Sequence, residues 1–329
     1  MTIEPFTVAV VEATHTLAKV LRSRLHESLP SWAVVRRLVE SRKVLINGTV
    51  CTDSARRLKE GELVEVMANS AHRLKASTPD GLVIRYLDEH VVVIEKPSAI
   101  NTVRHPSELE WSDKRRELVP TLQDVAQTVI SKQTGRSLKQ LPPLRIVHRL
   151  DKETSGLLTF ARSPLAERHL GMQFRRHSVV RRYLALVPGF FTAQTLQSSL
   201  VKDRGDGRRG STTLPKTGKV AITHVEIQER LPTFTLLSCR LETGRTHQIR
   251  IHLSEAGHPV CGDKVYCKKM GGDIFTDTST AKRLMLHATE LGYLHPVTEE
   301  ELFWDMPMPA DMKHVLDRLR KPAVKRPGS

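Results

Sequence analysis

Cysteine is scarce in this chain of 329 residues, and the spacing of its four cysteines argues against a zinc site. No two of them form a Cys-x-x-Cys pair, and Cys261 and Cys267 lack the paired spacing of zinc ligands. The fifteen histidines include no His-Glu-x-x-His or His-x-x-x-His pattern. We therefore expect no metal site, and four reduced thiols of the kind found in cytoplasmic proteins.

Aromatic residues and long apolar runs are also lacking. Aromatics make up 5% of the residues, which argues against a platform for stacking single-stranded bases. No uninterrupted apolar run approaches the roughly 20 residues that cross a bilayer. The N-terminus contains Glu4 and Pro5 and has no basic segment before an apolar run, unlike a signal peptide. We expect no association with a membrane.

Acidic residues are outnumbered by basic ones. The 36 Asp and Glu residues stand against 51 Lys and Arg residues, a formal charge of +15. Adjacent arginines recur along the chain, at positions 36–37, 56–57, 115–116, 175–176, 181–182 and 208–209. Guanidinium forks match phosphate oxygens well, so this spread of charge predicts a polyanionic partner.

Residues 15–67 are predicted to form a small N-terminal module. Leucines at positions 17, 21 and 25 lie on one face of a helix, and a second helix is predicted over Trp32–Glu40. Asn47-Gly48 is a strong signal for a hairpin turn, and Gly61–Val66 alternates as a strand does.

The rest of the chain is predicted to contain longer strands. Residues 68–80 are polar and without apolar periodicity, which indicates a linker. A domain over 81–312 and a basic tail over 313–329 follow. Within the domain we predict a polar insertion at 101–143 with one short helix near Leu122–Ile130, and a mobile basic loop at 202–219.

The stretch from His148 to Leu158 is predicted to place Asp151 on a loop between two buried strands, since the apolar pair Ile146-Val147 precedes the loop and Leu157-Leu158 follows it. Its sequence is His-Arg-Leu-Asp-Lys-Glu-Thr-Ser-Gly-Leu-Leu, with Asp151 two residues after Arg149. Loops held by rigid strands often carry catalytic residues. The plain alternative is a solvated turn in which Asp and Ser-Gly are turn formers. This stretch alone leaves both interpretations open.

Several motifs together resemble the RluA-type RNA pseudouridine synthases, which convert uridine in structured RNA to pseudouridine. His148–Asp151 followed by Thr154–Gly156 resembles the family's signature, and Arg181–Val187 resembles its tyrosine strand. Glu242–His252 resembles the arginine motif, and His258–Tyr266 with Leu286–Ala288 resembles the C-terminal signatures. The front module, with Leu45–Gly48 and Gly61–Val66, resembles an S4 RNA-binding domain.

The resemblance implies an α+β fold, in which a mixed, mainly antiparallel catalytic sheet follows a small S4-like α/β module. It also implies a catalytic set of Asp151 as nucleophile, Tyr183 and Arg245. We expect Arg245 to pair with Asp151 and keep it ionised, and Tyr183 to stack on the base and move a proton. The carboxylate could add to the uracil ring or to the ribose. No redox change occurs, so no cofactor is expected.

Other residues receive supporting roles from the same resemblance. Because the target base is hidden in a stacked helix, it must be flipped out, and Arg149 is placed to fill the gap or to clamp a phosphate. We expect Thr154 and Ser155 to hold the loop through side-chain to backbone bonds. Pocket or loop support is also expected from Leu150, Gly156 and Ile249. In the front module, RNA contacts are expected from Arg36, Arg37, Arg42 and Lys43.

Two rival functions remain on the sequence alone. A non-catalytic RNA-binding or ribosome-assembly protein would not need Asp151, Tyr183 and Arg245 together. A hydrolase such as an N-glycosidase would usually need a second carboxylate in a comparable motif. The resemblance favours ribosomal RNA of the large subunit as substrate, with transfer RNA as the alternative, and we expect a monomer in the cytoplasm.

Overall fold

The structure, a computed structural model, describes residues 4–25, 32–40, 43–51, 53–66, 81–108, 110–267 and 276–321. The predicted linker and the end of the predicted tail lie outside these residues. The chain divides into two compact units, Met1–Leu74 with Tyr293–Trp304, and Lys75–Gly292 with Asp305–Ser329. In the described ranges, no helix is long and apolar enough to cross a membrane.

The N-terminal module consists of two helices and a four-stranded sheet. Its elements are β1 (Phe6–Thr7), α1 (Leu17–Arg24), α2 (Trp32–Glu40), β2 (Val44–Ile46), β3 (Thr49–Cys51) and β4 (Leu63–Val66), with sheet order β1-β4-β2-β3. Leu17 and Leu21 are fully buried, as their spacing predicted. Asn47 and Gly48 take φ values of 50° and 75°, the left-handed conformation that a two-residue hairpin turn requires.

The module begins earlier than residue 15, where we placed its start. Phe6 in β1 pairs with Val64 in β4, and Val8 lies in the core of the module. A strand of two residues is too short to show an alternating pattern, so periodicity could not reveal it.

The remaining strands form a large sheet. They are β5 (Val83–Leu87), β6 (Val91–Lys96), β7 (Arg145–Ile146), β8 (Ser155–Ala161), β9 (Val180–Pro188), β10 (Gln194–Val201), β11 (Gly210–Thr212), β12 (Lys219–Arg230), β13 (Phe234–Leu241), β14 (Leu286–Leu294) and β15 (Glu301–Asp305). The sheet follows the order β11-β10-β12-β13-β9-β14-β8-β6-β5. Neighbours along it are antiparallel, except that β14 and β8 are parallel. The predicted mixed, mainly antiparallel sheet is thus confirmed.

The helices of this part of the chain are α3 (Asp113–Leu118), α4 (Leu122–Thr134), α5 (Pro164–Arg175), α6 (Gln248–Glu255) and α7 (Ala310–Leu319). Three of our expectations need correction. The insertion 101–143 contains two α-helices, and α4 buries four apolar residues in the main core: Leu122, Ala126, Val129 and Ile130. The basic loop 202–219 contains β11, which pairs with β10. Helix α7 crosses the predicted boundary at 312 and buries Val315 and Leu316.

Candidate active site

The loop 147–154, which joins β7 to β8, carries the His-Arg-Leu-Asp motif. Strand β8 is buried along its whole length and runs parallel to β14 at its first residues. There Gly156 has a φ of +123°, and a Cβ on it would lie 2.2 Å from the carbonyl oxygen of Ala288. Only glycine therefore lets the end of the loop lie this close to β14.

Lys96, the last residue of β6, holds the backbone of this loop. Its wholly buried ammonium donates hydrogen bonds to the carbonyl oxygens of Pro97, Lys152 and Thr154 at 2.8–2.9 Å. Burial lowers the pKa of Lys96 to about 7, and the negative charge of Asp151 opposes that shift. Sequence reasoning gave this lysine no role, since a lysine at the end of a strand is usually solvated.

Two further contacts fix the backbone on either side of Asp151. The Thr102 hydroxyl donates to the carbonyl oxygen of Leu150 at 2.7 Å, and the Leu150 side chain is buried in the core. After the carboxylate, the backbone N–H of Thr154 donates to the carbonyl oxygen of Asp151 at 3.1 Å. The position of Asp151 is thus set by backbone contacts on both sides.

The side chains of Thr154 and Ser155 differ from our expectation that both bind backbone. Ser155 Oγ lies 3.0 Å from Nδ1 of the buried His287. Thr154 Oγ1 is buried beside the cavity of the site and has no hydrogen-bond partner among the described residues. Thr154 thus contributes an unpaired polar atom to the wall of the site.

His148 orders the loop as a neutral ring. Its Nε2 accepts a hydrogen bond from the backbone N–H of Thr159 at 3.1 Å, and it stacks on Phe174 with ring centroids 4.6 Å apart. Burial, with a smaller effect of the nearby Arg181 charge, lowers the pKa of His148 to about 3. A histidine that stays uncharged and accepts a backbone bond has a structural role here.

The cation beside Asp151 is Arg250, on the first turn of α6. Arg250 Nη1 lies 3.4 Å from Asp151 Oδ2, while its Nε and Nη2 bind both oxygens of Asp263 at 2.7 and 2.9 Å. Burial opposes ionisation of Asp263, but Arg250 and two backbone N–H donors hold its pKa below the usual value. The guanidinium is thereby oriented by one carboxylate and presented to the other.

Arg245 does not form the ion pair with Asp151 that we predicted. Its side chain is exposed, and its Nε donates to the carbonyl oxygen of Val220 at 3.0 Å. Arg245 precedes α6, whereas Arg250 lies within that buried helix. A signal for this was present in the sequence, since Arg250 is flanked by Ile249 and Ile251, and a charge between apolar residues is usually paired.

His247 also approaches Asp151. Its Nε2 lies 3.9 Å from Asp151 Oδ1, and its Nδ1 lies 2.8 Å from the hydroxyl of Tyr266. Burial lowers the pKa of His247, although the charge of Asp151 acts in the opposite direction. Asp151 therefore faces a fixed cation on one oxygen and an imidazole near the other.

Asp151, His247 and Arg250 line a cavity of about 130 Å³. Seven of the predicted site residues line it: Arg149, Leu150, Asp151, Thr154, Tyr183, Arg245 and Ile249. Burial raises the pKa of the Tyr183 phenol to about 12, so its hydroxyl stays protonated at neutral pH. Arg149 is exposed at this cavity, and within the described part of the chain its guanidinium has no hydrogen bond.

The predicted RNA contacts of the N-terminal module are only partly described. Arg36 is exposed on α2, while the side chain of Arg37 and all of Arg42 lie outside the described residues. Lys43 is half-buried, and its ammonium donates to the carbonyl oxygen of Glu301 at 3.3 Å. Burial lowers the pKa of Lys43. This lysine is thus occupied within its own unit, which weakens the case for a contact with RNA.

Potential metal ligands do not cluster in the described residues, where no group of three or more His, Cys, Asp and Glu side chains could hold an ion. Asp151 is the one carboxylate among the residues that line the described cavity. A carboxylate next to a fixed guanidinium and a protonated phenol can act as a nucleophile assisted by a proton donor.

Two sequence families match the chain. The family described as RNA pseudouridylate synthase matches residues 90–255, and the S4 domain family matches residues 18–64. The first of these segments contains the loop 147–154, the strand with Tyr183 and the helix with Arg250.

Individual relatives agree with this over most of their length. A protein of Nitrosomonas europaea named ribosomal large subunit pseudouridine synthase D is 34% identical over 314 residues, which cover 91% of this chain and 84% of that protein. A protein of Escherichia coli with the same name is 31% identical over 317 residues, covering 92% of this chain and 91% of the other. The solved structure of human RNA pseudouridylate synthase domain containing 4 has a TM-score of 0.57 and 25% identity, and covers 72% of this chain and 92% of that one.

Proposed function

Because this chain belongs to the RNA pseudouridylate synthase family, we propose that Asp151 is the nucleophile with which it isomerises uridines in large-subunit ribosomal RNA. The observation that carries the proposal is that Asp151 is the one carboxylate lining the described cavity. A glycosidase would usually need a second carboxylate as a general acid or base.

The reaction requires one bond to be exchanged for another. The bond between N1 of uracil and C1′ of the ribose breaks, a bond between C5 and C1′ forms, and the hydrogen of C5 is replaced by one on N1. Asp151 forms a temporary covalent bond either to the uracil ring or to the ribose, which holds that half in the cavity, and this bond breaks again before the product leaves. Atoms and electrons balance without an oxidant or reductant.

Three residues around Asp151 have separate roles in this reaction. Arg250 places a positive charge 3.4 Å from Asp151 Oδ2, which orients the carboxylate in the cavity. Tyr183 packs against the base with its aromatic face, and its protonated phenol is a proton donor in the resting enzyme. Arg149, exposed at the cavity, fills the space that the flipped uridine leaves in the RNA.

Large-subunit ribosomal RNA is supported as substrate by the names of the two bacterial relatives and by the S4 domain. Transfer RNA is the alternative substrate. The charge of +15 suits either, because both present a dense phosphate backbone.

The test is a map of pseudouridines in total RNA from a strain that lacks this protein and carries a plasmid-borne copy. We expect sites in large-subunit ribosomal RNA to disappear in the deletion strain and to return with the wild-type copy. Asp151→Asn should not restore them, because loss of a nucleophile lowers turnover by about 10⁴-fold or more. Purified Asp151→Asn should still bind the RNA.

Asp317→Asn is the matched control, since this exposed carboxylate on α7 pairs with Arg320 and lies outside the cavity. It should restore every site. Restoration by Asp151→Asn would remove the proposed nucleophile, and sites lost only from transfer RNA would move the substrate to that class.

A further inference from the structure

Arg181 is a buried cation in the wall of the active-site cavity. It lies on β9 two residues before Tyr183, and is 6% exposed. Residues two apart on a strand point to the same face, and both side chains line the cavity. The tyrosine strand therefore contributes a guanidinium as well as a phenol to the site.

The contacts of Arg181 leave its charge without an anion. Its Nη2 donates to the carbonyl oxygen of Glu242 at 3.1 Å, and its Cζ lies 5.5 Å from the ring centroid of Phe174. Its buried Nε has no hydrogen-bond partner in the residues that the structure describes, and no carboxylate there forms an ion pair with it. Burial lowers its pKa, with a smaller opposing effect from Tyr183.

Arg250, in the same cavity, shows the contrast. It is as buried as Arg181, but contacts Asp263 with two nitrogens and Asp151 with the third. A buried charge costs more free energy when it is unpaired than when a carboxylate pairs it. We therefore expect the guanidinium of Arg181 to pair with an anion that enters the cavity.

Gly244 provides the space for this guanidinium. A Cβ on Gly244 would lie 2.6 Å from Nη1 of Arg181, and the glycine has no left-handed φ that would require it for backbone reasons. Gly244 lines the same cavity. A side chain at position 244 would therefore crowd the guanidinium of Arg181 or make it shift.

We propose that Arg181 binds a phosphate of the flipped uridine's own backbone while the base lies against Tyr183. The inference rests on the proposed function. In a nucleotide the phosphate is the anionic group, whereas the base and ribose are neutral. Side chains two positions apart on a strand are separated by about 6.7 Å, which leaves room for a ribose between base and phosphate. The enzyme would then distinguish a nucleotide from a nucleoside at this residue.

The first measurement is the melting temperature without RNA. Replacing a buried unpaired charge by an apolar side chain removes a cost, so Arg181→Met should melt at the wild-type temperature or above it. A purely structural arginine would lower the melting temperature when replaced. Arg182→Met is the matched control, because Arg182 lies on the opposite face of β9 with its Nε 3.1 Å from Glu290.

The second measurement uses uridine, uridine 5′-monophosphate and uridine 3′-monophosphate as ligands of the full-length protein, by calorimetry. The wild type should prefer one monophosphate over uridine by about tenfold or more, the size expected of a charge-assisted hydrogen bond. The preference should vanish in Arg181→Met, weaken in Gly244→Ala and remain in Arg182→Met.

The outcomes separate this inference from the proposed function. Equal preference in the wild type and Arg181→Met, or no preference in the wild type, would overturn the phosphate site whatever RNA is modified. The pseudouridine map tests separately whether Asp151 is the nucleophile and whether the substrate is large-subunit ribosomal RNA.

Discussion

The loop that carries Asp151 and the helix α2 that carries Arg36 present charged side chains in opposite ways. Around Asp151, the backbone is held by Lys96, Thr102 and His148, and the carboxylate by Arg250. Arg36 lies exposed on its helix. The first region fixes position with buried polar contacts, while the second offers charge to solvent.

The difference fits the tasks that we propose for the two regions. Covalent chemistry requires the reacting groups to be held close to their productive geometry, and a small displacement is costly. Contact with a phosphate backbone is a long-range charge effect that tolerates movement. Substitutions around the loop should therefore change stability and turnover, and substitutions on α2 should change affinity and its dependence on salt.

The largest effect is expected from Arg250→Gln. It leaves the buried Asp263 without its cation, and loss of one partner of a buried pair costs about 3–5 kcal/mol. It also removes the charge beside Asp151, so turnover should fall along with stability. Denaturant unfolding and single-turnover kinetics on the RNA substrate would measure the two effects.

Arg245→Gln is the matched control from the same motif. Because Arg245 is exposed and bonds only a carbonyl oxygen, its replacement should change stability by less than about 0.5 kcal/mol and act mainly on KM. If Arg245→Gln abolished turnover while Arg250→Gln did not, the assignment of the two arginines would have to be exchanged.

Lys96→Met should have the next largest effect. It leaves one buried carbonyl oxygen, of Thr154, and two partly buried ones, of Pro97 and Lys152, without this donor. A buried unsatisfied group costs about 1–3 kcal/mol, and the removal of a buried charge offsets part of the loss. We expect a destabilisation on the order of 3 kcal/mol together with a loss of activity. Lys152→Met, an exposed side chain in the same loop, should unfold as the wild type does.

The effect of Lys96 should depend on pH. Its folded pKa of about 7 lies below the ordinary value of 10.5, so between these values the unfolded chain binds more protons than the folded one. Its contribution to the free energy of unfolding therefore rises from pH 7 to 10.5. The advantage of the wild type over Lys96→Met should grow across this window. An advantage that stayed constant would mean that Lys96 keeps its proton throughout.

Thr154→Val tests a polar group that the loop leaves unpaired. Removal of a buried hydroxyl with no partner should leave stability unchanged or raise it by up to about 1 kcal/mol. Turnover should fall by roughly tenfold if the hydroxyl bonds the bound uridine. Thr128→Val, an exposed hydroxyl on α4, is the control. Full activity of Thr154→Val would assign this hydroxyl no part in binding.

The three motifs that meet at the cavity could be recognised in the sequence because each of them is a short continuous stretch. Asp151, Tyr183 and Ile249 belong to three separated motifs, and the structure brings them to one cavity. The two-residue turn at Asn47-Gly48 was predicted for the same reason, since the residues that need a left-handed backbone are adjacent.

The contacts that hold the site could not be predicted in this way. Lys96 is 56 residues from Lys152 in sequence, and no local pattern says that its ammonium meets that carbonyl. The choice between Arg245 and Arg250 depends on where α6 begins, and helix ends are poorly marked by periodicity. Long-range pairing is decided by packing of the whole sheet.

The smallest effect is expected from Arg36→Gln, which tests the role of α2 in the comparison with the Asp151 loop. As an exposed helix residue it should alter stability by less than about 0.5 kcal/mol. If it contacts one phosphate, the slope of log affinity against log salt should fall by about 1, with turnover of bound RNA unchanged. Arg320→Gln, whose charge Glu229 already pairs, should leave the slope unaltered. A fall in turnover with an unchanged slope would mean that α2 positions the substrate for chemistry, and the division of labour between the two regions would fail.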